Sequence, residues 1–105
     1  MPISEELKRA FAASFARAVR YRSQPPLPKP QASLEQLRQA FDIGLPQRGL
    51  RAEVVIEALA QAAEPGLIGI SSPDFYGWVM GSSHPVGIAA DWLVSSWGQN
   101  AGIFE

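Results

Sequence analysis

His84, Ser82, Ser83, Asp74 and Asp91 are the side chains of the C-terminal third that have chemistry to offer, and their spacing narrows what that chemistry is. His84 is the single histidine, so a general acid, a metal ligand and a ring-stacking group are the roles to weigh. One imidazole without cysteine makes a poor metal site, because Asp74 and Asp91 are each the lone acid of their segments. Its place directly before Pro85 suits the start of a helix instead. Ser82 and Ser83, just ahead of that helix, would bind a phosphate or carboxylate through exposed amides, or cap the helix with a serine oxygen. Asp91 lies between Ala90 and Trp92 on an almost wholly apolar helix, where a carboxylate is costly unless paired. No base follows Arg51, so its partner must come from residues 1–51, from backbone amides or from further chain. A structural ion pair, rather than catalysis, is the expected role. Lys8 and Lys29 are read as solvated surface.

The elements that would position these groups follow from periodicity and breakers. Residues 4–22 form an amphipathic arm helix, with Ser4 as N-cap, Glu5 and Glu6 in the first turn, and Leu7, Phe11, Phe15 and Ala18 as its apolar stripe. The Pro-rich segment 23–31 forbids helix and supplies a stiff, extended strap. Ser33 and Gln36 fit a capping box that opens a helix over 33–41, ended by Gly44 and Pro46. A third helix spans 52–63, with Val55, Leu59 and Ala62 as its buried line and Pro65-Gly66 as its stop. Ile68 and Ile70 suit a short extended piece. Phe75 to Met80 has the aromatic and β-branched content of a strand over 75–80, and Gly77 marks a close approach within it. The fourth helix covers 85–99. The fold class expected is therefore mainly α: about four helices with one or two short strands.

Composition says that this arrangement lacks a cover. The chain has 105 residues, enough for one domain at most, and 18% of them are charged against about 25% in an ordinary soluble domain. All nine Lys and Arg lie between Lys8 and Arg51, while Phe75, Tyr76, Trp78, Trp92, Trp97 and Phe104 crowd a tail whose charges are Asp74, Asp91 and Glu105. A short chain buries only about 60% of its extended surface, so this much apolar surface needs a partner. The bases are scattered along helices without a stacking platform, which argues against nucleic acid. No cysteine excludes a disulfide framework and a thiol nucleophile. No apolar run approaches a membrane span and the N-terminus has no secretory core, so a cytoplasmic location is expected.

Three blocks, in order, point further. Pro73-Asp74-Phe75-Tyr76-Gly77 is close to a P-x-F-F-G pattern, Val79-Met80-Gly81-Ser82 forms a Gly-rich turn, and Ala89-Ala90-Asp91-Trp92-Leu93 leads to Trp97 and Gln99-Asn100-Ala101. From about Leu45 onward the chain resembles the N-terminal part of pyridoxal-phosphate-dependent group II amino-acid decarboxylases, of the aromatic-L-amino-acid type. Tyr76 stands where Phe is commoner, and residues 1–44 resemble the family's variable N-terminal helices only loosely.

The resemblance implies the N-terminal segment of a fold-type I enzyme, packed against a large α/β cofactor domain and a second subunit of a homodimer. It implies pyridoxal phosphate as cofactor of the whole enzyme and an amino acid as substrate. The family's Schiff-base lysine lies downstream of the segment seen here, and no lysine follows Lys29. The chain alone is thus expected to bind no cofactor and to decarboxylate nothing. It would contribute dimer contacts and one edge of the substrate pocket, formed by Tyr76, Trp78, Val79, Met80, Gly81 and Ser82. The alternative is a self-standing helical module that docks on a partner through the Trp92/Trp97 helix.

Overall fold

The computed structural model describes residues 2–77, 83–99 and 102. Four α-helices occur among them: α1 (Ile3–Ser23), α2 (Leu34–Phe41), α3 (Ala52–Ala63) and α4 (Pro85–Trp97), with a 3-10 turn at Glu64–Gly66 closing α3. The mainly α expectation holds at that level.

Local signals set most of the boundaries. The Ser33 hydroxyl accepts from the Gln36 N–H at 3.2 Å while the Gln36 amide oxygen accepts from the Ser33 N–H at 2.8 Å, the reciprocal pair of a capping box. α4 ends at Trp97, two residues short of the expected 99, because Gly98 takes φ 60° and returns its N–H to the Val94 carbonyl. Ser4 does not cap α1. The helix begins one residue earlier, with extended Pro2 as N-cap and the Pro2 carbonyl accepting from Glu5 and Glu6.

No strand occurs among the described residues. Of the strand expected over 75–80, Phe75 to Gly77 are irregular, and Trp78, Val79 and Met80 lie outside the described residues. A strand needs a neighbour to take its backbone hydrogen bonds. Here the Phe75 N–H is spent on a turn to the Ser72 carbonyl, and the Phe75 ring folds back over Gly77. The Ile68–Ile70 piece likewise makes one bond to the strap, Gly69 N–H to the Leu27 carbonyl at 3.1 Å, before the Ile70 N–H turns back to Ile68.

Packing directions follow from who meets whom. Arg9 reaches Glu53 near the start of α3, and Arg17 reaches Glu57 and Glu64 towards its end, so α1 and α3 run parallel. Parallel helices require a return path, which the strap, α2 and the loop 42–51 provide. The strap is pinned at the far end of α3, where the Gln31 and Ala32 N–H groups both donate to the Pro65 carbonyl. α2 then comes back antiparallel along α3. α4 lies antiparallel to α1: Arg22 donates to the Ser83 carbonyl at 2.7 Å, and the Phe11 and Trp92 rings meet at 5.2 Å.

These contacts leave little interior. Among the described residues the one buried position is Gly69, and no hydrophobic side chain is buried. The accessible surface is 8776 Å², roughly 3,000 Å² more than a folded monomer of this mass would show. The radius of gyration is 16.7 Å, against about 13 Å for a compact domain of this length.

Candidate functional site

Two apolar faces dominate the molecule, and the sequence builds each on a pair of helices. The first is formed by α1 and α4. On α4, Ile88 and Trp92 turn inward and Trp92 stacks, tilted by 36°, on Phe11. The opposite side of the same helix carries Val86, Leu93, Val94 and Trp97, all exposed, with Trp97 at 64%. A helix with apolar residues on two opposite sides, its polar edge confined to Asp91, Ser95 and Ser96, needs cover on both. Here α1 covers one side of it. Between the two helices lies an open groove of about 320 Å³ lined by Leu7, Phe11, Ser14, Trp92, Ser95 and Ser96.

The second face lies between α2 and α3. A groove of about 490 Å³ is lined by Phe41, Ile43, Leu50, Val55, Leu59 and Ala62 among others. Val55 and Leu59, the expected buried line of α3, are therefore open to solvent, about half exposed each. The physical reason is that α2 is a helix of eight residues and spans too little of α3 to shield its whole apolar side.

Charge adds to the close packing of α1 on α3. The Arg17 Nε and Nη2 donate to Glu57 Oε2 at 3.1 and 2.8 Å, and Nη1 donates to Glu64 Oε2 at 3.1 Å. Arg20 approaches the same Glu64 oxygen at 3.7 Å, and Glu53 sits 3.8 Å from both Arg9 and Arg51. The Arg17 hydrogen bonds hold the Glu57 carboxyl below its ordinary pKa, and Glu57 in turn raises that of Arg17. Sequence reading missed this pairing. Its signal was the charge split itself: bases on α1, and acids at 53 and 57 on a helix without a base of its own and at 64 in the turn that closes it.

Of the predicted pocket residues, Tyr76 alone lies among the described ones. Tyr76 is 90% exposed, and Trp78, Val79, Met80, Gly81 and Ser82 lie outside the described residues. His84 caps α4, its Nδ1 accepting from the Val86 N–H at 3.1 Å, which is the helix-start role and leaves the ring exposed. That capping duty falls to His84 and not to Ser83, whose carbonyl instead accepts from Arg22. Asp91 is exposed on α4, and no ion pair reaches it among the described residues, so of the three sources expected for a partner, residues 1–51 supply no ion pair.

The residues present do not suit pyridoxal phosphate. Lys8 is exposed on α1 and paired with Glu5 at 3.6 Å, and Lys29 is exposed on the strap; neither borders a groove that would hold a ring and its phosphate. No step through that group is derived for these residues. Among the described residues there is no cluster of three His, Cys, Asp or Glu side chains able to hold a metal, and no helix long and apolar enough to cross a membrane. No protein-family model, no curated protein and no solved structure matches the chain.

Proposed function

We propose that this chain acts as the N-terminal part of a pyridoxal-phosphate-dependent amino-acid decarboxylase of group II type, a carboxy-lyase. Its task there is to cover the cofactor domain, to contact the second subunit of a homodimer and to supply one edge of the substrate pocket. It does not catalyse alone. The observation that carries the reading is the uncovered apolar surface: α4 exposes Val86, Leu93, Val94 and Trp97 on the side that α1 does not cover, and the α2–α3 groove is open. The three sequence blocks support the choice of cover, since two of them flank and form α4. On this reading Tyr76, Trp78, Val79, Met80, Gly81 and Ser82 form the pocket edge, and the lysine, the cofactor's carboxylate partner and its stacking ring come from the rest of the enzyme. When bound there, the cofactor supplies the electron sink for carbon dioxide loss. This chain's residues supply shape and exclusion of water.

The test supplies the chain in trans to a group II decarboxylase whose corresponding N-terminal segment has been removed. A stable complex with recovered release of carbon dioxide is expected. A chain that forms no complex and sediments as a folded, monodisperse monomer would refute the reading and favour the helical interaction module. Addition of pyridoxal phosphate to the chain alone should give no lysine-linked aldimine absorbance; a stoichiometric band would overturn the non-catalytic assignment.

A further inference from the structure

The two open apolar faces have complementary shapes. The outer side of α4 is convex. At about 100° per residue, Val86, Ala90, Leu93 and Trp97 fall within about 60° of one another, and Asp91 lies about 100° from the nearest of them. The α2–α3 face is concave, a groove lined by Phe41, Ile43, Leu50, Val55, Leu59 and Gln61 with no charged side chain among its lining residues. Lengths match as well, since the 13 residues of α4 run about 20 Å and the 12 of α3 about 18 Å. A segment that brought charges into this groove would bury them unpaired. The outer side of α4 brings none.

We propose that the free chain associates with itself, the outer side of α4 in one copy lying in the α2–α3 groove of another. The area suffices. A standard contact takes about 800 Å² from each partner, so a copy that gives its α4 face to one contact and its groove to a second covers about 1,600 Å². That is well inside the excess of roughly 3,000 Å² over a folded monomer. A net charge of −1 opposes the meeting of two copies only weakly. The contact is heterologous, because the patch offered differs from the patch filled. These are the faces that the decarboxylase reading gives to the rest of that enzyme, and a second copy covers them when the chain is alone; the contact itself does not depend on that reading.

Sedimentation equilibrium of the wild-type chain and two variants tests the contact. Leu93→Asp spoils the α4 face and Leu59→Asp spoils the groove, each at a side chain about half exposed, and each should weaken self-association at least about tenfold. Mixed together, the two variants still hold one sound α4 face and one sound groove, and a one-to-one heterodimer should form. A wild-type chain that stays monomeric at every soluble concentration overturns the proposal. So does either variant that associates as tightly as wild type, which would point to like faces meeting, and so does a mixture without heterodimer. Circular dichroism checks that the helices persist. Should a variant lose them, Trp97 emission in a chain carrying Trp78→Phe and Trp92→Phe gives the second reading: it should shift to the blue as concentration rises, and emission indifferent to concentration overturns the contact as well.

Discussion

Gly69→Ala should detach the strap from the end of α3. A methyl group at Gly69 would be driven into the Pro26 carbonyl oxygen, with the Pro26 carbonyl carbon at 2.9 Å and the Leu27 oxygen at 3.1 Å. All three are backbone atoms, so no side chain can swing aside. Ordinary C···O contacts start near 3.3 Å, and the strap must retreat by about 1 Å or more to restore them. That retreat stretches the Gly69 N–H bond to the Leu27 carbonyl, now 3.1 Å. Its loss costs about 1 kcal/mol, and forced backbone displacement adds about 1–3 kcal/mol. Amide hydrogen exchange reads the result directly, because the Gln31 and Ala32 N–H groups depend on the same docking through the Pro65 carbonyl. A cost of about 2 kcal/mol should speed their exchange roughly 30-fold, and the urea midpoint should fall with it. Gly87 supplies the control: nothing lies within 4 Å of a methyl group there, and the residue sits in the first turns of α4. Gly87→Ala should therefore raise stability by about 0.5–1 kcal/mol. If Gly69→Ala leaves the exchange of Gln31 and Ala32 unchanged while Gly87→Ala behaves as stated, the close approach of strap and Gly69 is wrong.

Three further perturbations probe other joints. Ser33→Ala removes one half of the capping box and should destabilise α2 by about 1 kcal/mol, seen as faster exchange of the Gln36 amide with α4 unaffected. Phe11→Ala removes the partner of Trp92; loss of the ring pair, about 0.5–1.5 kcal/mol, should free α4 and be reported by Trp92 fluorescence against a background with both Trp78→Phe and Trp97→Phe. For pH the sign follows from Glu57, whose carboxyl is held low by Arg17. A lowered folded pKa means its contribution is fully present above the ordinary glutamate range and is lost as pH falls through the lowered value. Stability to urea should thus be constant through neutral pH and fall in acid; a fall that begins near neutrality would contradict the assignment.

Much of the secondary structure is determined by the residues of each segment. Ser33 and Gln36 announce α2 three residues apart, Pro65-Gly66 stop α3, and His84-Pro85 start α4, because capping and breaking are settled by atoms within one helical turn. The apolar excess of the tail is likewise legible as composition, and the exposure of Trp97 agrees with it. Where neighbours in space decide, the sequence is silent or misleading. The 75–80 segment has strand-forming residues, yet the Phe75 N–H is spent on the Ser72 carbonyl and Phe75 to Gly77 join no strand among the described residues. Val55 and Leu59 mark the apolar side of α3 correctly, but whether that side is covered depends on the length and path of α2.

The charge split between residues 1–51 and the rest is visible in the bare string; its meaning is not. Only the parallel course of α1 and α3 brings Arg9, Arg17 and Arg20 opposite Glu53, Glu57 and Glu64, and only the path of the strap makes Gly69 a position that admits no side chain. Caps and breakers act over a few residues along the chain and so can be read from it. Pairings such as Arg17 with Glu57, 40 residues apart, exist because the backbone returns.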